Sequence, residues 1–170
     1  MKRKANGGAG PLSKQRLRLW IRLLRTTRFL EAEVRERLRA EFATTLPRFD
    51  VLAGLYRAEG GLTMTELSRA LMISNGNTTG IVERLVSDGL IARTPIKEDR
   101  RATRVALTDK GRKEFARMAA AHEGWIDELL GELGRDDTDA LLGLVGQVAP
   151  RSSAARQGID RRAKLQQAHD

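Results

Sequence analysis

The 170-residue sequence predicts a mainly α-helical chain with one small β-hairpin, and three observations carry that expectation. A central stretch, 63–108, reads as two short helices followed by two short strands. Long runs with apolar residues at helical spacing lie on either side of it. Capping residues, glycines and prolines fall where these elements must start or stop. The plan is a winged helix-turn-helix with a small β-hairpin wing, flanked by long N- and C-terminal helices, the first of them with apolar surface enough for dimerisation.

Residues 1–11 carry Lys2, Arg3 and Lys4 and then Asn-Gly-Gly-Ala-Gly-Pro, the composition of a flexible basic arm. Such an arm is either a disordered start or a source of extra phosphate contacts. The first long helix is expected from Ser13 to about Phe42, within a segment 12–46. Leu17, Trp20, Ile21 and Leu24 keep helical spacing, and Val34, Leu38 and Phe42 continue it. Leu19, Leu23 and Leu30 add apolar surface on other sides, so this helix needs more than one partner, and a second subunit can supply one. Arg16, Arg18, Arg22, Arg25 and Arg28 stud the same region. They form a solvated face, or one or two turn inward to an anionic ligand. Pro47 suits the first turn of a second helix that runs to about Ala58 with Phe49, Leu52, Leu55 and Tyr56 as its apolar contacts.

The central module, 47–107, carries the most information. Thr63 and Glu66 have capping-box spacing, and Leu67, Ala70 and Leu71 follow as an apolar face. Met72 and Ile73 plug a turn, and Ser74 caps a second short helix. Ile81, Val82, Leu85 and Val86 face inward on that helix. Asn75, Asn77, Thr78, Thr79 and Arg84 fall mainly elsewhere. Gly76 and Gly80 are costly in a helix, by about 0.8–1.0 kcal/mol each against alanine. Close approach to DNA or to the preceding helix would be the reason for them. Gly89 sits where a left-handed residue ends the helix. Leu90–Ala92 and Val105–Leu107 suit two strands, with Arg93 to Arg104 as a long basic tip between them. This plan offers the second helix to a major groove and an arginine-bearing loop to a minor groove. The candidate DNA-binding residues are Thr63, Thr65, Ser74, Asn75, Asn77, Thr78, Thr79, Arg84, Arg93, Lys97, Asp99, Arg100, Arg101 and Arg104.

After the module, 108–150 holds the C-terminal helices. Thr108 caps one that reaches about Leu133, with Phe115, Met118, Trp125, Ile126 and Leu129 on its stripe and Gly111 and Gly124 weakening it. Asp136 or Asp137 starts a last helix with Leu141, Leu142, Val145 and Val148, stopped by Pro150. Residues 151–170 are polar and lack a face to bury, so they read as a disordered or loosely docked tail.

The stretch from Pro47 to Gly111 resembles the winged-helix core of the MarR family of bacterial transcriptional regulators. The resemblance rests on FDVLAGL (Phe49–Leu55), TMTELSRAL (Thr63–Leu71), SNGNTTGIVERLVSDGLIAR (Ser74–Arg93) and DRRATRVALTDKG (Asp99–Gly111). Asp-x-Arg in the wing, followed by an apolar strand and Leu-Thr-x-x-Gly, is its most specific part. The resemblance implies a helical homodimer that binds pseudo-palindromic double-stranded DNA, usually as a repressor. By the match, Arg101 is the minor-groove arginine and Asp99 the carboxylate that holds its guanidinium, a pairing that suits a planar fork.

The resemblance also implies a small-molecule effector between the dimer helices and the winged domain. Trp20, Arg22, Leu24, Arg25, Phe49 and His122 are the candidate effector-binding residues. Aromatic acids and their coenzyme A thioesters are common effectors in this family, and Ser74–Asn77 resembles those branches. For Phe49 and His122 the competing reading is a core aromatic and a half-exposed histidine.

The whole chain bounds these readings. At this length it is one domain, or one domain with an extension. The net charge of +9, from 31 Lys+Arg against 22 Asp+Glu, favours a polyanionic partner, nucleic acid or a membrane surface. No apolar run is long enough to cross a bilayer, and the start has the charges but not the apolar core of a signal peptide. A cytoplasmic protein with no membrane partner is the expectation. The chain has no cysteine and only two distant histidines, His122 and His169, so no metal site and no cofactor are expected. No nucleophile–base motif or phosphate-binding glycine loop supports an enzyme. The competing functional readings are an architectural or effector-independent DNA-binding protein, and peripheral membrane binding through the basic ends.

Overall fold

The computed structural model describes residues 10–58, 60–71, 75–96 and 99–148, without the side chains of Asn75, Ile96 and 99–102. Residues 1–9 of the basic arm, the C-terminal tail, the turn at Met72 and Ile73, Ser74 and Lys97 lie outside the described residues, whereas Gly10 and Pro11, expected to belong to the arm, cap and open the first helix.

The apolar spacing of the first long helix is realised in α1 (Pro11–Phe42), which starts with its proline in the first turn. It ends at Ala43, which takes a left-handed φ of 48°. Of its 32 residues only Val34 and Leu38 are buried. Pro47 lies in the first turn of α2 (Leu46–Tyr56), as expected, and α2 buries Phe49, Val51, Leu52 and Leu55. Then come β1 (Leu62–Thr63), α3 (Met64–Leu71) and α4 (Asn75–Ser87). The hairpin strands β2 (Ile91–Ile96) and β3 (Asp99–Leu107) lead into α5 (Asp109–Leu129). These elements surround one core. Leu38, Leu52, Leu55, Leu67, Val82, Leu85, Ile91, Val105 and Met118 are each no more than 2% exposed.

The wing differs from its expected form in two ways. A third strand, β1, pairs with β3, so the antiparallel sheet has the order β1-β3-β2 among the described residues. Two residues are too short to show a period in sequence. The strands also continue well into the segment expected to be a loop, with Arg93 opposite Val105, Thr94 opposite Arg104 and Pro95 opposite Thr103. Backbone pairing there is blind to the polar side chains that suggested a tip. Pro95 is tolerated because β2 is an edge strand, and the register shifts directly after it.

The junctions behave as expected, with one addition. Gly89 has φ +71° after α4. The Thr108 hydroxyl accepts a hydrogen bond from the Gly111 N–H at 3.0 Å and donates one to the Gly89 carbonyl at 2.7 Å. Gly111, expected only to weaken the helix, is where α5 crosses Leu90: a Cβ there would stand 2.0 Å from the Leu90 carbonyl oxygen.

The chain divides into two compact units after Leu129, so α5 belongs to the first. The second holds α6 (Arg135–Val148). The Thr138 hydroxyl donates to the Gly134 carbonyl at 2.9 Å in its first turn, and none of its side chains is buried.

Candidate nucleic-acid interface

The local start of α3 is the expected capping box. Thr63 donates to Glu66 Oε2 from its backbone N–H at 2.8 Å and from its hydroxyl at 2.9 Å, and the Glu66 N–H donates back to Thr63 Oγ1 at 3.2 Å. The backbone N–H and then the hydroxyl of Thr63 hold the Glu66 carboxyl below its usual pKa range. The Thr63 hydroxyl therefore works as a cap. Thr65, one residue into α3, is exposed.

Thr78 requires a correction. It was expected to face DNA, but it is fully buried. The Ser68 hydroxyl donates to Thr78 Oγ1 at 3.0 Å and so pins α4 to α3. At 3.6 residues per turn Thr78 lies on the side of α4 that carries Val82 and Leu85, and that side belongs to the core. Ser68 was missed. Its signal was a hydroxyl next to Leu67 in a helix that has to pack closely on its neighbour.

The opposite side of α4 is open. Gly76, Asn77, Thr79, Gly80 and Arg84 are all exposed. A Cβ added at Gly76 or Gly80 would meet no atom within 4 Å. Close approach to the preceding helix is therefore not the reason for these glycines among the described residues. Asn75 opens α4, with its side chain outside the description.

In the wing, Arg93 is exposed on β2. Arg104, expected to contact phosphates, is a second correction. Its guanidinium is half-buried and donates to the Gly61 carbonyl at 2.7 Å, so it braces the turn before β1. Gly61 takes φ +72° under the β3 backbone, which brings that carbonyl within reach. Asp99, Arg100 and Arg101 open β3, and their side chains lie outside the description.

Two cations, both missed by sequence reasoning, hold the end of α4. Arg48 of α2 forms an ion pair with Asp88, and Lys110 of α5 donates to the Asp88 carbonyl at 2.8 Å. They connect elements 40 and 22 residues away in sequence, a separation that no local pattern registers.

The six candidate effector residues fall in two places. Phe49 is buried, with its ring 5.0 Å from His122 and 5.5 Å from Phe115, and His122 lies 6.5 Å from Trp125. Burial lowers the pKa of His122, and the Asp50 carboxylate partly offsets this. Trp20, Arg22, Leu24 and Arg25 lie on the first half of α1, where Trp20 is 59% exposed. From Arg25 to the core residue Leu38 is about 20 Å of helix. A single chain thus does not assemble the expected pocket. Arg18, Arg22 and Arg25 instead border a shallow groove with Gln15, Leu19 and Ile21.

Among the described residues no cluster of His, Cys, Asp or Glu could hold a metal ion, and no helix is long and apolar enough to cross a membrane.

The MarR family model matches residues 44–103, which run from the end of α1 into the wing. The transcriptional activatory protein BadR of Rhodopseudomonas palustris is 32% identical over 123 residues, covering 71% of this chain and 70% of BadR. The chain belongs to the MarR family. A second relative, the HTH-type transcriptional regulator PecS of Dickeya dadantii, is 30% identical over 111 residues, covering 64% of this chain and 67% of PecS. The crystal structure of a mutant MarR from Escherichia coli complexed with operator DNA aligns with a TM-score of 0.70 at 25% identity. That alignment covers 83% of this chain and all of that one. The mainly helical winged fold is therefore a MarR-type fold, and the named relatives are regulators rather than enzymes.

Proposed function

We propose that this MarR-family protein is a homodimeric, cytoplasmic repressor. It binds a pseudo-palindromic operator and is released by a small anionic effector, an aromatic acid or its coenzyme A thioester. The observation that carries the DNA-binding part is the two-sidedness of α4. Thr78, Val82 and Leu85 are fully buried, while Asn77, Gly80 and Arg84 stand open. A helix held on one side and bare on the other suits insertion into a major groove.

In this reading Asn77 meets base edges, and Arg84 and Arg93 meet phosphates. Arg101 enters the minor groove with Asp99 as its brace. Two copies of α4 sit about 34–36 Å apart, one helical turn of DNA. A second copy covers the apolar side chains that α1 leaves exposed, among them Leu12, Leu17, Leu19 and Trp20. The effector acts by binding one arrangement of the winged segments better than the other, since equal affinity would shift nothing. BadR and PecS as regulators, and MarR bound to its operator, support this reading. BadR is named as an activator, so the sign of regulation needs its own readout.

The test is a footprint on the DNA upstream of the protein's own gene, paired with a promoter reporter. Two protected half-sites, a reporter that rises on deletion of the gene, and release by substrates of neighbouring gene products are the expected results. Equal affinity for any duplex would point to an architectural protein and reject the proposal.

A further inference from the structure

The charge of the chain is not spread along it. Residues 1–30 hold nine Lys and Arg and no Asp or Glu, and residues 31–170 hold 22 of each sign. The entire net charge of +9 thus precedes Glu31. The segment matched to the family, 44–103, holds eight cations and seven carboxylates. A near-neutral module generates little long-range attraction for a polyanion, so the field comes from the first half of α1 and the arm before it.

That half of α1 presents its charge in order. Lys14, Arg18, Arg22, Arg25 and Arg28 recur at steps of four, four, three and three residues. At 3.6 residues per turn they fall within roughly a third of the helix circumference, and they span about 21 Å along its axis. All five are exposed, and none forms an ion pair among the described residues. Leu23 and Leu30 lie on the far side of the helix from the stripe, while Leu19 borders it and Ile21 falls within its arc, so a partner seated on Leu23 and Leu30 leaves the five cations open. Four of the five are arginines, whose planar forks match phosphate oxygens. Duplex DNA carries one phosphate charge per about 1.7 Å of its axis, a denser line than the stripe needs in order to be fully paired.

We propose that this stripe is a second, sequence-independent contact surface for the phosphate backbone of duplex DNA. It supplies affinity and salt dependence, while α4 and the wing supply specificity. The proposal rests on the DNA-binding reading above.

The experiment compares the full chain with a Lys14→Gln, Arg18→Gln, Arg22→Gln, Arg25→Gln, Arg28→Gln variant. Each is titrated with a long duplex containing the upstream DNA and with one of random sequence, over a range of salt. Each phosphate-bound cation adds about 0.9 to the slope of log affinity against log salt. The expected loss is between about 2 and about 4.5 in slope for each engaged stripe, the same on both duplexes, with their affinity ratio unchanged. Replacing the four arginines by lysine should keep the slope. Should the fivefold variant fail to fold or dimerise, Arg22→Gln and Arg25→Gln singly should each lower the slope by about 0.9. An unchanged slope overturns the proposal, and so does a loss confined to the specific duplex. An unchanged slope with a lost response to an effector assigns the stripe to the effector instead, and equally overturns it. If the unmodified chain binds neither duplex, the DNA-binding reading itself falls.

Discussion

In the winged segment, side chains from α2, α3, α4 and the sheet converge on a core with almost no exposure, and several of its polar groups find partners, although the Arg48 Nε is buried without one. Arg48 meets Asp88, Arg104 meets the Gly61 carbonyl, Glu66 meets Thr63, and Ser68 meets Thr78. In the first half of α1 no side chain from Pro11 to Leu30 is buried, and six cations face no carboxylate on that stretch. On the proposed reading the difference is one of physical role. Reading bases needs a helix held in place to a fraction of an ångström, which matched and buried contacts provide. Attracting a polyanion needs only unpaired charge on an exposed surface, which rigid packing would spoil.

The largest contrast between the two regions should be in stability. Leu85→Ala, in the core under α4, is expected to cost about 2–5 kcal/mol in urea denaturation. Arg22→Gln should stay within about 0.5 kcal/mol, as an exposed substitution. Similar losses for both would erase the distinction. Next comes specificity: Arg101→Ala should weaken operator binding by about 1–3 kcal/mol with the dimer intact, and unchanged binding would remove the wing from the interface. Smaller still, Gly76→Ala and Gly80→Ala each have room for the added methyl group. Each should raise stability by about 0.8–1.0 kcal/mol while lowering DNA affinity. A variant that is both more stable and tighter in binding would show that α4 does not approach DNA on that side.

The smallest expected effect concerns pH. Burial lowers the His122 pKa below its ordinary 6.5, so in the folded state the ring takes its proton later than in the unfolded chain. The stabilisation is complete above pH 6.5 and declines as pH falls below that value toward the folded pKa. His122→Phe should flatten this part of the stability profile while keeping a ring against Phe49. A profile identical to that of the unmodified chain would mean that His122 titrates as it does in water.

Local residues announced much of this fold. Pro47 opens α2, Thr63 and Glu66 close the capping box, Gly89 ends α4 and Thr108 starts α5, all where sequence spacing puts them. Each is an interaction within a few residues, so the chemistry of neighbours suffices to identify it. The candidate interface was legible in part. The exposed Asn77, Thr79 and Arg84 follow from the period of α4, but that period was read without its core face extended back to Thr78.

By itself, then, the sequence determined the kind and order of the helices among the described residues, the winged plan and the family, because helical period and capping are local. Only the tertiary structure decided that Thr78 is buried on Ser68 and that Arg104 braces Gly61, 43 residues away. It likewise decided that β1 joins the sheet, that Gly111 gives α5 room to cross Leu90, and that Trp20 and Arg25 stand apart from Phe49 and His122. Each of these depends on which surfaces meet across long stretches of chain, and hydrophobic packing selects those partners by shape and burial rather than by any signal at the position itself.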